Sequence, residues 1–103
     1  MDQYHVESRA GLTRVMLSPG FVEEMEGDFV GIELPRAGDV VFAREGFGQI
    51  TTSVRAHDLR APFAFRVVRV NEHARGNPGL VRLSPRGEGW LMEVEGLDQQ
   101  AIV

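Results

Sequence analysis

The sequence predicts an all-β fold, a sandwich or barrel of short strands carrying two short helices. Apolar residues alternate with polar ones over runs of four to eight residues rather than recurring at the helical period of about 3.6. Twelve glycines and five prolines punctuate those runs, at the spacing expected where many short strands are joined by turns.

The first run spans Leu12 to Leu17. Ser18-Pro19 then offers a helix N-cap followed by proline at the first helical position, where its missing N–H is not needed. The helix runs through Phe21, Val22 and Met25 and stops at Gly27. Next, Val30, Ile32 and Leu34 share one face, with Phe29, Gly31 and Glu33 on the other, a half-buried strand. Further runs lie at Val40–Ala43, Phe47–Ser53 and Phe63–Val70. A helical turn over Glu72-His73-Ala74 is expected after Asn71, ending near Gly76. A last strand occupies Trp90–Val94, and a tail from about Gly96 to Val103 is expected to pack loosely. Both helices are too short to stand without tertiary packing.

A chain of 103 residues fits one domain over 1–103. The hydrophobic fraction of 43% and the charged fraction of 25% are ordinary for a globular chain. With no cysteine, disulfide scaffolds, thiol catalysis and thiolate metal sites are excluded. No apolar run approaches the roughly 18 residues of a membrane span. Met1-Asp2-Gln3-Tyr4-His5 has neither the basic nor the apolar region of a secretory signal, so no membrane partner and a cytoplasmic location are expected. The net charge of −4 argues against nucleic acid, whose binders carry a basic excess. All eleven basic residues are arginine. No side chain therefore carries a primary amine.

An ordered set of short motifs runs from Leu17 to Val94: Gly27-Asp28, Glu33-Leu34-Pro35, Ser53-Val54, Asp58-Leu59, Ala61-Pro62, Val70-Asn71-Glu72, Asn77-Pro78, Leu80-Val81, Ser84-Pro85 and Gly87-Glu88-Gly89-Trp90-Leu91. Each is weak alone, but their order and spacing together resemble the H-protein family of the glycine cleavage system. The resemblance implies a barrel-sandwich hybrid of two small antiparallel sheets. In that family a tight hairpin presents a lysine, which a ligase or transferase loads with lipoic acid. The arm then carries an aminomethyl group between the glycine cleavage enzymes. The carrier itself is no enzyme.

By that resemblance the attachment position is Arg55, flanked by Ser53, Val54, Ala56, His57 and Asp58. Acylation needs a neutral amine. Lysine reaches that state near a pKa of about 10.4, whereas arginine stays protonated above about 12 and spreads its lone pair over three nitrogens. No lipoyl cofactor is therefore expected. Further departures accompany Arg55. The tip, read as Arg55-Ala56-His57-Asp58, is one residue shorter than the family pattern, and Thr52 stands where a glutamate is usual. Tyr4-His5-Val6 falls where the pattern has a tryptophan-bearing strand, and little follows Trp90-Leu91 to form the pattern's C-terminal helix. The expected function is that of an H-protein homologue that cannot be lipoylated, acting as a binding, decoy or scaffold module. Its expected partners are glycine cleavage enzymes or lipoyl-attaching enzymes. The alternative is an aminomethyl or lipoyl carrier loaded non-covalently or through an unrecognised attachment.

Other constellations read as structural. His57-Asp58 is an acid–base pair only in form, because adjacent residues on a hairpin rarely converge on one substrate. His5, His57 and His73 match no familiar metal-ligand spacing. Gly87-Glu88-Gly89 lacks the rest of a phosphate-loop fingerprint and reads as a turn. Asn77-Pro78 and Leu80-Val81 read as a turn with an apolar pair beneath the barrel. Trp90 and Phe21 read as core aromatics.

Overall fold

The period-two runs build strands in the computed structural model, which describes residues 3–97. In chain order the elements are β1 (Tyr4–Arg9), β2 (Leu12–Leu17), α1 (Pro19–Glu24), β3 (Phe29–Glu33), β4 (Val40–Val41), β5 (Gly46–Thr52), β6 (Ala56–Arg60), β7 (Phe65–Val70), α2 (Glu72–Gly76), α3 (Gly79–Leu83) and β8 (Met92–Gly96). They form two antiparallel sheets, ordered β1-β2-β8-β7-β4 and β3-β5-β6. Neither closes on itself, so this is a two-sheet sandwich and not a closed barrel.

The core lies between the sheets. Val15 and Leu17 from β2, Ile50 from β5, Leu59 from β6, Phe65 from β7 and Val94 from β8 are fully buried. Phe47 and Phe65 meet edge to face, with ring centres 5.9 Å apart, the arrangement the ring quadrupoles favour. Tyr4 closes one end, its ring 6.0 Å from that of Phe47. Burial pushes its hydroxyl pKa up to about 12, with the Arg60 backbone N–H pulling the other way.

Both expected helices are present, with caps that explain their starts. The Ser18 hydroxyl accepts from the Phe21 N–H at 3.2 Å, and Pro19 takes the first helical position. The helix ends at Glu24, one residue before the buried Met25. The Asn71 side chain accepts from the His73 N–H at 3.2 Å, and α2 ends at Gly76 as expected. A third helix, α3, was not foreseen: Leu80-Val81 lies in a single helical turn and buries Val81 completely.

Three expectations are corrected. The β3–β5 pairing slips between Phe29 and Gly31, leaving Val30 as the extra residue of a bulge. A bulge inverts the phase of the side chains on its two sides. Phe29 is therefore buried and Val30 is 59% exposed, while Ile32 and Leu34 pack against the core as read. Trp90 is no core residue; it lies half-buried beneath two guanidinium groups, Arg14 at 4.4 Å and Arg69 at 5.5 Å from its ring centre. Gly96 ends a paired strand and the Leu97 N–H donates to the Ala64 carbonyl at 2.9 Å, so the start of the expected loose tail is held. The remainder of that tail lies outside the described residues.

The two arginines over Trp90 also clamp Glu93, which faces them from β8. Arg14 donates to its carboxylate at 3.2 and 2.9 Å, and Arg69 pairs with its other oxygen. Burial raises the carboxyl pKa, but the hydrogen bonds and charges of Arg14 and Arg69 outweigh it, so the pKa lies below the model-compound 4.5. A carboxylate with a depressed folded pKa stabilises the fold above its unfolded pKa, and that contribution disappears as pH falls through the folded value. Acid titration followed by urea melts should show stability falling below about pH 4.5. Glu93→Gln should cost about 1–3 kcal/mol at pH 7 and flatten that acid limb. An unchanged limb would remove Glu93 as its source.

Candidate functional site

The hairpin between β5 and β6 is the feature on which the expected site depends. Its turn is Ser53-Val54-Arg55, and Ala56, His57 and Asp58 already belong to β6. The tip is thus narrower than the span from Arg55 to Asp58 read from the sequence. Thr52 sets its shape. The Thr52 hydroxyl accepts from the backbone N–H groups of Val54 and Arg55 at 3.1 Å each and donates to the Arg55 carbonyl at 3.1 Å. The Thr52 N–H donates to that same carbonyl at 2.8 Å. A hydroxyl that uses its donor and both its acceptor sites in one turn replaces the backbone bonds the turn cannot make. Thr52 is itself only 4% exposed, so the hydroxyl is shielded from competing water.

A second set of contacts fastens the tip to the turn before β3. The Ser53 N–H donates to the Asp28 carbonyl at 2.9 Å, and the Asp28 N–H donates to the Ser53 hydroxyl at 3.1 Å. Gly27 makes this approach possible. Its φ of +91° suits glycine, and a Cβ there would run into the Ser53 hydroxyl and lie 3.0 Å from the Val54 Cγ2. The Gly27-Asp28 pair, read from the sequence as a turn feeding a strand, therefore also forms the seat of the hairpin tip.

On this seat Arg55 is exposed, and Val54 beside it is 55% exposed. Arg55 lines a cleft of about 240 Å³ with Glu24, Glu26, Val54 and His57. His57 and Asp58 leave opposite faces of β6, as successive strand residues must. Asp58 faces outward and accepts from the Gln49 side chain at 3.2 Å. His57 turns toward the cleft, and its Nε2 is buried without a hydrogen-bond partner among the described residues. The two do not share a substrate-facing side, and an acid–base pair is not formed.

The remaining candidates sit apart from this site. His5 on β1 approaches Glu7 and Arg86, each at 3.3 Å, while His73 lies in α2. Among the described residues no three metal-ligating side chains gather. Gly87-Glu88-Gly89 forms the turn after α3, closed by Gly87 and Gly89 N–H groups donating to the Ser84 carbonyl at 3.1 and 2.8 Å. Phe21 packs against the core from α1, its ring 6.5 Å from Tyr4. No described helix is long and apolar enough to cross a membrane. Sequence reasoning missed Glu24 and Glu26, which the fold brings beside Arg55. Their only signal was charge at the end of α1, which an exposed helix end explains equally well.

Comparison with known proteins places the whole arrangement. The family model described as glycine cleavage H-protein matches residues 2–102. The glycine cleavage system H protein of Corynebacterium jeikeium (strain K411) is 40% identical over 87 residues, covering 84% of this chain and 64% of that protein. That of Carboxydothermus hydrogenoformans is 43% identical over 75 residues, covering 73% and 58%. The chain thus spans 58–64% of the length of these curated relatives. Among solved structures, the crystal structure of a glycine cleavage system H protein from Mycobacterium marinum superposes with a TM-score of 0.80. It has 33% identity and is matched over 87% of this chain and 70% of that one.

Proposed function

This chain belongs to the glycine cleavage H-protein family, and from that premise we propose that it acts by binding rather than by carrying a covalent lipoyl arm. The observation behind the reading is an ordered hairpin tip in a chain without lysine, with Arg55 at the position that the resemblance gives for attachment. A guanidinium held protonated at every physiological pH does not attack an acyl adenylate. The tip is ordered by the Thr52 hydroxyl while its reactive group is absent, which suits a decoy. It would present a cation of lysine's sign to enzymes that attach or use the lipoyl group, without becoming a product. Arg55 and the exposed Val54 are the residues such an enzyme would meet. The reading is of a non-catalytic module of one domain, located in the cytoplasm with its partners.

Two measurements test it. The intact mass of the chain purified from its native cell, supplied with lipoate, should equal that of the bare polypeptide; a mass raised by one lipoyl group would overturn the reading in favour of an acceptor other than lysine. Added to a lipoate ligase reaction on a lysine-bearing H protein, the chain should slow product formation, and Arg55→Glu should abolish the slowing. A ligase indifferent to a large excess of the chain would end the decoy role.

A further inference from the structure

We infer that the cleft between α2 and the turn after α3 receives an arginine side chain presented by a partner protein. Asn71, His73, Leu80, Glu88 and Trp90 line this cleft around a volume of about 220 Å³. It shares no residue with the cleft beside the hairpin tip. Its volume lies below the roughly 300–1,000 Å³ of sites for drug-sized ligands, so it suits one side chain rather than a cofactor. The walls are fixed against one another in the free protein. Asn71 is only 3% exposed, and its side-chain amide donates to the carbonyls of Glu88 and Trp90 at 2.8 Å each. Its backbone N–H donates to the Leu91 carbonyl at 3.0 Å. Between Glu88 and Trp90, Gly89 lies so close to α3 that a Cβ there would run into the Leu80 carbonyl oxygen. Leu80 and Trp90 are therefore held at a set spacing, and walls fixed in advance lower the ordering cost of binding.

The chemistry of the lining selects the occupant. Both donors of the Asn71 side chain are engaged, whereas its oxygen accepts from the His73 N–H at 3.2 Å and has a second lone pair to offer. The Glu88 carboxylate is exposed and takes part in no ion pair among the described residues. The arginines of the neighbouring elements are engaged elsewhere: Arg14 and Arg69 on Glu93, Arg75 on Glu72 and Arg86 on His5. Arg14 and Arg69, which lie over Trp90, share Glu93, so half of their charge is already met. The cleft thus joins an uncompensated carboxylate and an amide oxygen to the apolar surfaces of Leu80 and Trp90. An arginine answers each of these. Its planar fork pairs with a carboxylate through two hydrogen bonds and has donors left for the amide oxygen. Its methylene stem covers apolar surface, and its flat head packs against an indole. Lysine brings the charge without the fork, and an anion would face Glu88. Free arginine would add an α-carboxylate for which the lining holds no guanidinium, so the source is a side chain within a polypeptide.

Trp90 is the only tryptophan of the chain, so its fluorescence and its indole N–H resonance both report on the cleft. The test titrates the full chain with N-acetyl-arginine methylamide, with the corresponding lysine and citrulline compounds, and with free arginine. The blocked arginine is expected to shift the signals of Trp90 and of the Asn71 side-chain amide saturably. The lysine compound and the uncharged citrulline compound should bind about fivefold more weakly or worse, and free arginine no more tightly than the blocked form. Glu88→Gln should weaken binding of the blocked arginine by about fivefold while leaving the melting temperature unchanged, because Asn71 bonds the backbone carbonyl of Glu88 and not its carboxylate. Shifts no greater than sodium chloride produces, citrulline binding as well as arginine, or an affinity unchanged in Glu88→Gln would each overturn the inference. Free arginine binding tenfold more tightly than the blocked form would make this a small-molecule site and end the docking role. The decoy reading stands on Arg55, so Arg55→Glu should bind the blocked arginine as the parent does, and the two proposals fail separately.

Discussion

Arg55→Lys should gain a single lipoyl group in the presence of lipoate ligase, lipoate and ATP, where the parent chain is expected to stay bare. This is an all-or-none effect, because the substitution supplies the only primary amine on any side chain. Lysine and arginine share charge and nearly share length, but only lysine gives up its proton within reach of ordinary pH. The tip needs no rearrangement to display it. The bonds that shape the turn come from the Thr52 hydroxyl to the backbone of Val54 and Arg55, and the seat on Asp28 uses Ser53. None involves the Arg55 side chain, so the new ammonium would stand where the guanidinium stands. Intact mass and peptide mapping provide the readout. A variant that folds and stays bare would show that the tip no longer meets the ligase, and the proposed docking would fall with it. Thr52→Val in the same background separates shape from chemistry. Removing the hydroxyl should slow modification, although the acceptor lysine is unchanged.

The parts of the fold that were legible in the sequence are those where a single rule acts alone. Phe65–Val67 alternates buried and exposed because one face meets the opposite sheet and the other meets water, until the pairing with β8 slips at Val68, whereas β2 ends on three buried residues in a row, Val15, Met16 and Leu17. Ser18-Pro19 and Asn71 announced their helices because capping depends on local hydrogen bonds. Reading failed where the chain departs from its period. At Val30 one extra residue inverts the pattern, and no local composition marks where a bulge will fall. For β6, Leu59 is the only fully buried residue in five, too little for alternation to register. Asn77-Pro78 reads as a turn, and α3 exists because the core has space for Val81. The candidate site divides in the same way. Arg55 was singled out by resemblance and chemistry, whereas the cleft it lines pairs the end of α1 with a distant hairpin. That juxtaposition belongs to the tertiary fold. Thr52 appeared in the sequence as a loss of glutamate, and in the structure it is the residue that ties the turn.

Gly89→Ala should be among the most damaging conservative substitutions in the described residues, costing about 3 kcal/mol or more. A Cβ at Gly89 would run into the Leu80 carbonyl oxygen and lie 2.7 Å from both the Ser84 carbonyl oxygen and the Val81 Cα. All three are main-chain atoms of α3 and its cap, so no side chain can rotate away to make room. The turn after α3 would have to lift, and its neighbours make that costly. Asn71, only 3% exposed, donates from its side-chain amide to the carbonyls of Glu88 and Trp90 at 2.8 Å each, which are the residues on either side of Gly89. Displacement would strand those groups in the interior, where an unmet hydrogen bond costs about 1–3 kcal/mol. It would also strain the register of β8, since the Leu91 N–H donates to the Val15 carbonyl at 2.9 Å. For a chain of this size a loss of about 3 kcal/mol lowers the melting temperature by roughly 12–24 °C. Gly20→Ala is the control. A Cβ there meets nothing within 4 Å, and alanine favours α1 by about 0.5–1 kcal/mol, so that variant should melt at or slightly above the parent. Two variants with matching urea midpoints would show that the turn moves freely over α3 and that the close packing at Gly89 contributes nothing. A large gap would identify the glycine turn as what fixes Trp90 and β8 against the rest of the five-stranded sheet.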